Sequence, residues 1–271
     1  MTPDNSGLLL RLAGPLSAYG THAVTNYRPT HPHPTRSALI GLLAAAAGRP
    51  RDNVLDPFTD LDGHPSYQHM QFTIRVDRPG VIHTDFHTTG GGYPLEQRLH
   101  TAAGTRRAPD KSTLPSHRLY LNDAAFVIAV TGPTPLIHAT ADHLQHPRYA
   151  PYLGRRACIP DQPLVLGAPR PDAVHQLLHH VPLALPSAPA PAARTVPVTF
   201  WWETPPAHQP LARSEELTDQ PQDFTAHTRR HAPRHIWQTT ENLRTRLYTG
   251  PRPQQALITY LEQDATCTRP A

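Results

Sequence analysis

Cysteine is scarce in this chain of 271 residues, which contains only Cys158 and Cys267. The two lie far apart and form no CxxC pattern. This usage argues against a disulfide framework and against a cysteine-based zinc site, and it is typical of a reducing compartment. We therefore expect a cytoplasmic protein without a cofactor or a bound metal.

Long hydrophobic runs are also missing. The longest apolar stretch, residues 38–47, contains Gly41 and is much shorter than the roughly 20 apolar residues that cross a bilayer. Residues 1–7 are polar and poor in positive charge, unlike a signal peptide. These absences predict a soluble, intracellular protein with no membrane partner.

Lysine is almost absent, since Lys111 is the only one and 24 of the 25 basic residues are arginine. Arginine binds phosphate through two parallel hydrogen bonds and stacks on bases, which suits an RNA partner. A GC-rich genome explains the same composition equally well, because it also favours the codons of alanine and of the 33 prolines. The net charge of +4 permits a polyanionic partner without demanding one.

Hydrophobic periodicity predicts an α+β protein. Strands are expected at residues 8–13, 69–77, 81–88, 124–130, 163–167 and 198–203, and helices at 35–47, 134–146 and 171–180. Residues 89–117 contain three consecutive glycines and four Arg or Lys residues, which predicts a long loop or an extended hairpin. Up to residue 167 this order is the βαββαβ pattern of a ferredoxin-like domain.

Composition divides the chain into three parts. The ferredoxin-like domain occupies residues 1–181, with an insertion at roughly 85–120. Residues 182–197 are rich in Pro and Ala, which predicts an extended linker. Residues 198–271 are expected to form a smaller, irregular β-rich region.

A first candidate RNA contact lies at the start of the predicted helix at 35–47. Arg36 is flanked there by the hydroxyls of Thr35 and Ser37. Free N–H groups and the helix dipole favour a phosphate at this position. Alternatively, the two hydroxyls cap the helix and the arginine is solvated. The sequence supports the two interpretations equally.

A second candidate lies between residues 148 and 156, where three arginines and two tyrosines occur without an acidic residue. Aromatic stacking contributes about 1–3 kcal/mol per base, and arginines hold the backbone. Gly154 would let a phosphate approach the main chain closely. The alternative is a packed Tyr-Pro corner that carries surface charges.

A third candidate is the insertion, which carries Arg106, Arg107 and Lys111. Lying along a single strand, it would add about 0.7 to the salt slope for each phosphate neutralised. The alternative is a solvated, disordered loop, and both hold if the segment orders on binding.

Nineteen histidines raise the question of a metal site. His31-x-His33 and His179-His180 are the candidate ligand pairs. Neither has a cysteine or a carboxylate at a recognised ligand spacing, so a histidine-rich surface is expected and a structural zinc site is not.

Three ordered segments carry a family resemblance. They read LRLAGPLSAYG at 10–20, PTRSALIGLL at 34–43 and PRYAPYLGRRAC at 147–158. Residues 85–88 and 120–126 add weaker support. Over residues 8–168 the chain resembles the fifth Cas family of the repeat-associated mysterious proteins, and within it the CasD-type subunits of type I-E Cascade.

The resemblance implies a ferredoxin-like domain with a protruding thumb hairpin. It also implies a subunit that grips the 5′ handle of the guide crRNA, caps the filament of CasC backbone subunits, contacts the large CasA subunit, and meets target DNA through the assembled complex. Because a separate subunit of this subtype cuts the precursor RNA, no catalysis is expected. The predicted RNA contacts are Arg28, Thr35, Arg36, Ser37, His87, Thr88, Arg106, Arg107, Lys111, Arg148, Tyr149, Tyr152, Gly154, Arg155 and Arg156.

Two other functions are compatible with the residues. A metal-independent endoribonuclease that processes precursor crRNA needs a base for the 2′-hydroxyl and a cation for the phosphate, which His117, Lys111 and Tyr120 can supply. A structural adaptor that binds only proteins would use Trp201-Trp202 and the linker as a docking surface, although one ring of such a strand pair usually lies in the core.

Overall fold

The computed structural model describes residues 5–20, 26–101, 103–225, 228–248, 250 and 252–267, without the side chains of 264–267. Residues 1–4, which are part of the expectation about a signal peptide, lie outside the described residues. The side chain of Cys267 does so as well. In chain order the strands are β1 (Asn5–Ala13), β2 (Leu16–Ser17), β3 (Tyr27–Arg28), β4 (Gln71–Arg78), β5 (Val81–Thr89), β6 (Leu114–Asn122), β7 (Ala125–Pro133), β8 (Thr195–Trp202), β9 (Arg213–Asp223) and β10 (Arg230–Arg244). The helices are α1 (Arg36–Ala46), α2 (Thr134–Gln145), α3 (Ala173–His179) and α4 (Pro253–Cys267).

The main sheet is antiparallel and has the strand order β1-β7-β4-β8-β10-β9. Its first two strands pair along their whole length, from Asn5↔Pro133 to Ala13↔Ala125. Side chains alternate across a strand, so Leu8 belongs to the core cluster that contains α1 and α2, whereas Leu9 belongs to the cluster that contains α3. Both faces of β1 and β7 are therefore covered, which explains their continuous apolar sequence.

Most of the predicted elements are present, and the main error is the strand at 163–167. This segment makes only an isolated bridge, Leu10↔Val165. Two backbone hydrogen bonds of 2.8 Å hold it to β1, from Arg11 N to the Leu164 carbonyl and from Leu166 N to the Leu9 carbonyl. The Leu164 N–H, which would complete the pair with Arg11, donates instead to the Gln162 side chain at 3.2 Å, so no continuous ladder forms.

Strands after residue 194 continue the main sheet. β8 pairs with β4 from Thr73↔Trp202 to Val76↔Thr199. The mixed architecture with antiparallel sheets is thus as predicted, and the region after residue 198 is more regular than predicted. Residues 182–184, in the predicted linker, are buried. The boundary between domains stays a prediction.

A second sheet carries a long hairpin. β6 pairs with β5 along its whole length, from Val81↔Asn122 to Thr89↔Leu114, and with β2 and β3 over two residues each. Of the two alternatives expected for residues 89–117, the extended hairpin is therefore present, with strand at 114–117 and a tip formed by residues 90–101 and 103–113. β3 runs parallel to β6 with Tyr27↔His117 and Arg28↔Arg118 in register. Within the described residues, no helix has both the length and the apolar character to cross a membrane.

Candidate RNA-binding surface

The start of α1 is a buried cap. The Thr35 hydroxyl accepts a hydrogen bond from Ala38 N at 3.4 Å, which is an N-cap geometry. Arg36 is only 5% exposed. Its guanidinium donates to Glu203 Oε2 at 2.5 Å and to the Gln68 carbonyl at 3.0 Å. Arg36 is therefore held inside the protein, and the solvated arginine of the alternative interpretation is wrong.

A network of two arginines and two acids surrounds this helix start. Arg234 lies 3.0 Å from Glu203 Oε1 and also donates to Asp219, which accepts the Arg36 backbone N–H at 2.6 Å. Burial raises the pKa of Glu203, and the charges of Arg36 and Arg234 oppose that shift. The network joins α1 to β9 and β10. Thr35, Arg36 and Ser37 are all buried. Helix capping explains these residues better than contact with RNA does, and that contact stays a prediction.

The loop at 147–158 packs its main chain against the segment after β2. Ala18 N donates to the Leu153 carbonyl at 3.0 Å, and Leu153 N donates to the Cys158 carbonyl at 2.8 Å. Gly154 has a φ of +83°, and a Cβ there would lie 1.7 Å from the Ala18 carbonyl oxygen. The Ala18 carbonyl oxygen therefore explains why residue 154 is glycine, and the expected phosphate contact there stays a prediction.

Arg155 brings three segments together. It donates to the Arg28 carbonyl at 3.1 Å, and its guanidinium lies 4.4 Å from the centre of the Tyr120 ring. Arg28 is in register with Arg118, which is opposite Asp85 on β5. Arg155 of the loop, Arg28 of β3 and Arg118 of β6 thus lie close together, beside the carboxylate of Asp85. Arg28 and Arg155 were among the predicted contacts.

A row of exposed rings crosses the second sheet. The register aligns Tyr27 of β3, His117 of β6 and Phe86 of β5. The rings of Phe86 and His117 are 5.4 Å apart, and Tyr27 and Phe86 are 45% and 62% exposed. Sequence reasoning missed Tyr27 and Phe86 as contacts, although Phe86 is an isolated phenylalanine among polar residues at the start of the basic insertion. Exposed rings in a row are typical of base stacking.

The hairpin tip carries exposed positive charge. Arg106 donates to the Arg98 carbonyl at 2.6 Å while its side chain remains exposed, and Lys111 is exposed as well. Arg107 is partly buried and lies 3.5 Å from the Lys111 carbonyl. Both arginines donate to carbonyls of the tip, and Arg106 and Lys111 still face solvent. The tip therefore presents cations without folding them into the core.

Residues His87 and Thr88 lie on β5 close to that tip. They pair with Ser116 and Pro115 of β6, and the His87 carbonyl accepts the Ser116 hydroxyl at 3.2 Å. His87 Nδ1 is 3.8 Å from an Asp85 carboxylate oxygen. Both predicted contacts thus belong to the hairpin.

Arg148 and Tyr149 lie elsewhere. Their backbone N–H groups donate to the carbonyls of Ala46 and Ala45, at 2.8 and 3.3 Å, so they lie at the C-terminal end of α1. Tyr149 is 59% exposed. The structure therefore divides the predicted loop residues between two places: Arg155 reaches the second sheet, and Arg148 with Tyr149 does not. Arg156 is exposed and Tyr152 is half-buried.

The family model described as CRISPR-associated protein (Cas_Cas5) matches residues 7–237. The chain belongs to the Cas_Cas5 family. All of the predicted RNA contacts lie inside the matched range.

Two further comparisons refine this membership. The Cas_Cas5 chain is 35% identical over 186 residues to "CRISPR system Cascade subunit CasD" of Escherichia coli (strain K12), which spans 66% of this chain and 78% of that protein. It is 42% identical to a chain of a solved "CRISPR RNA-guided surveillance complex", with a TM-score of 0.80 over 95% of this chain and 100% of the other. A chain from "Crystal structure of Cas protein" is 26% identical, with a TM-score of 0.57 over 90% and 99%. The resemblance to CasD-type proteins is confirmed.

Proposed function

We propose that this Cas_Cas5 chain is a cytoplasmic, non-catalytic subunit of a type I-E Cascade complex that binds the 5′ handle of the guide crRNA. One observation carries the proposal: 95% of the chain shares its fold, at 42% identity, with a chain of a CRISPR RNA-guided surveillance complex. The similarity to the E. coli Cascade subunit CasD points to the same kind of assembly.

In that assembly the β5–β6 hairpin acts as the thumb of a ferredoxin-like domain. Across the sheet the order is the 163–167 segment, β1, β7 and β4. This order supports the ferredoxin-like fold. We place the chain at the end of a filament of CasC backbone subunits, in contact with CasA. It meets target DNA through the complete complex. The family membership supports these partners.

The proposed RNA contacts centre on the second sheet. Tyr27, His117 and Phe86 supply stacking surfaces on one face of this sheet, whereas Arg28 and Arg118, their neighbours in sequence, supply phosphate contacts on the other face together with Arg155. The exposed arginines and lysine of the tip extend this surface along the strand. Arg36 supports it indirectly, through the position of α1.

The geometry disfavours the endoribonuclease alternative. His117 and Tyr120 are three residues apart on β6, and residues an odd number apart point to opposite faces of a strand. Tyr120 is also buried beneath Arg155, whereas Lys111 lies in the hairpin tip. An acid–base pair needs both groups within hydrogen-bond reach of one reacting centre, and these three side chains do not converge.

The adaptor alternative has little support either. Trp202 is buried and its indole N–H donates to the Thr239 hydroxyl at 2.9 Å. Trp201 is half-buried, with its ring 4.5 Å from that of His33. The expectation that at least one ring lies in the core is confirmed, so the pair offers little docking surface.

The deciding experiment assembles Cascade with the double variant Arg155→Ala plus Arg156→Ala and measures how much crRNA the purified complex retains. Retention should fall, because the variant removes a stacked and an exposed guanidinium together. The matched control, Arg213→Ala plus Arg244→Ala, removes two exposed arginines of the main sheet and should retain crRNA normally.

Two results would contradict the proposal. One is normal assembly and crRNA retention by the Arg155/Arg156 double variant. The other is specific cleavage of repeat RNA by the purified chain that disappears in His117→Ala, because it would make the protein a nuclease.

A further inference from the structure

The candidate ligand pair His31-x-His33 meets a glutamate that is distant from it in the sequence. His31 and His33 lie in the segment between β3 and α1, and Glu215 lies in β9. One candidate ligand atom from each side chain lies within 4.8 Å of the other two. Among the described residues, this is the one group of three or more His, Cys, Asp or Glu side chains near enough to hold a metal ion.

The hydrogen bonding of His33 prepares it as a ligand. Its Nδ1 lies 3.0 Å from the Pro34 carbonyl. A carbonyl oxygen only accepts, so Nδ1 carries the proton and Nε2 of the neutral ring keeps its lone pair. That Nε2 is buried without a hydrogen-bond partner, in a side chain only 1% exposed. Histidines that bind metals almost always donate their other N–H to a carbonyl or carboxylate in this way.

The local charges allow a cation here. The His33 ring is buried, and with its proton on Nδ1 it is neutral, as metal binding requires. Glu215 and Asp219 place negative charge beside His31, and Arg234 opposes them. Arg234 is itself paired with Asp219 and Glu203, which compensates its charge.

We propose that His31, His33 and Glu215 bind a zinc-type divalent transition-metal ion. Two imidazoles and one carboxylate form a donor set that suits Zn²⁺, with water as the fourth ligand. Ligand atoms lie at about 2.0–2.2 Å from zinc, so binding draws the three side chains closer together. The ion would tie the segment that follows β3 to β9, far away in sequence. This site replaces the expectation of no metal, which considered only ligands close together in sequence.

The test uses the purified full chain after removal of metals with a chelator and dialysis. We expect one equivalent of Co²⁺ to bind, with visible d–d absorption, and Zn²⁺ to displace it. Because the His33 ring is 4.5 Å from that of Trp201, Co²⁺ should quench part of the tryptophan fluorescence. The quenched fraction should shrink in Trp201→Phe.

Glu215→Gln is the decisive variant, because Glu215 is only partly buried. Even an outer-shell partner of a metal ligand is worth about 10–100-fold in affinity, so losing a ligand should weaken Co²⁺ binding at least tenfold. His33→Gln should do the same, with circular dichroism as the check on folding.

A control separates this site from adventitious binding to surface histidines. His175, His179 and His180 have rings 4.6 and 5.4 Å apart on and just after α3, and all three are exposed. His179→Gln plus His180→Gln should leave the Co²⁺ affinity and the quenching unchanged. The proposal is overturned if wild type binds no stoichiometric Co²⁺, if Glu215→Gln binds as wild type does, or if the control variant abolishes binding.

Discussion

Arg36 and Glu203 form a buried ion pair, Nη1 to Oε2 at 2.5 Å, between residues 167 positions apart in the chain. The arginine opens α1, and the glutamate directly follows β8. The same carboxylate accepts the backbone N–H of Phe72 at 3.0 Å, at the start of β4. One side chain thus fastens the first helix to two neighbouring strands of the main sheet.

Glu203→Ala should be strongly destabilising. Removing one partner of a buried ion pair leaves an uncompensated charge and costs about 3–5 kcal/mol. Here Arg36 loses its carboxylate partner, whereas Arg234 keeps Asp219. Urea denaturation gives the free energy of unfolding. Glu216→Ala on the exposed face of β9 is the control, with a change expected within about 0.5 kcal/mol. A decrease below about 1 kcal/mol in Glu203→Ala would show that the network contributes little.

Local patterns predict those elements whose reasons are local. The apolar run at 8–13 and the Thr35 cap precede a strand and a helix that the structure contains. The strand predicted at 163–167 was wrong because the Leu164 N–H bonds to the Gln162 side chain and the segment makes only an isolated bridge to β1. Hairpin pairing with β5, by contrast, makes residues 114–117 a strand despite Pro115. Propensity is a weak guide wherever tertiary hydrogen bonds decide.

The sequence predicts which types of residue form the candidate site better than it predicts where they lie in the fold. Arginine next to hydroxyls at a helix start is typical of a phosphate site, but Glu203, 167 residues away, takes that arginine into the interior. Likewise, only the parallel pairing of β3 with β6 puts Tyr27 beside His117. Contacts between distant segments leave no spacing pattern in the chain, which is why these relationships were missed.

Gly154→Ala should displace the loop at 147–158. A positive φ costs a non-glycine residue about 1–3 kcal/mol, and the new Cβ would also lie 1.7 Å from the Ala18 carbonyl oxygen. Gly63→Ala is a matched control, because Gly63 has a φ of +75° with nothing within 4 Å of a Cβ. We expect Gly154→Ala to lose more stability than Gly63→Ala and, unlike it, to retain less crRNA. Equal losses in the two variants would mean that the close approach to Ala18 is unimportant.

The hairpin tip should contribute to RNA binding through charge. The triple variant Arg106→Ala, Arg107→Ala and Lys111→Ala removes three cations of the tip. Removing one phosphate contact lowers the salt slope on a single strand by about 0.7, so the slope should fall by about 2. Equilibrium binding of handle RNA at several salt concentrations measures it. As a control, replacing the exposed Arg194, Arg213 and Arg244 with alanine should change the salt slope little. An equal fall of the slope in this control would mean that only the net charge of the protein matters.

The aromatic row should contribute to RNA binding through stacking. Phe86 is 62% exposed on the hairpin and contributes little to the core, so Phe86→Ala should fold normally. If a base stacks on this ring, the variant should lose about 1–3 kcal/mol of binding free energy. The salt slope should not change, because no phosphate contact is removed. Tyr27→Ala should behave in the same way.

Phe86→Leu distinguishes stacking from general hydrophobic contact, because leucine keeps the apolar bulk but has no ring face. It should bind handle RNA nearly as weakly as Phe86→Ala. Leu211→Ala removes a side chain that is 97% exposed in the connection before β9, and it should bind as wild type does. Full affinity in Phe86→Leu would mean that Phe86 contributes to RNA binding by burying apolar surface and not by stacking. Full affinity in both Phe86 variants would mean that the aromatic row does not contact the RNA. Because β3 and β5 flank β6 on opposite sides, weaker binding in Tyr27→Ala as well would place successive bases across the hairpin rather than along it.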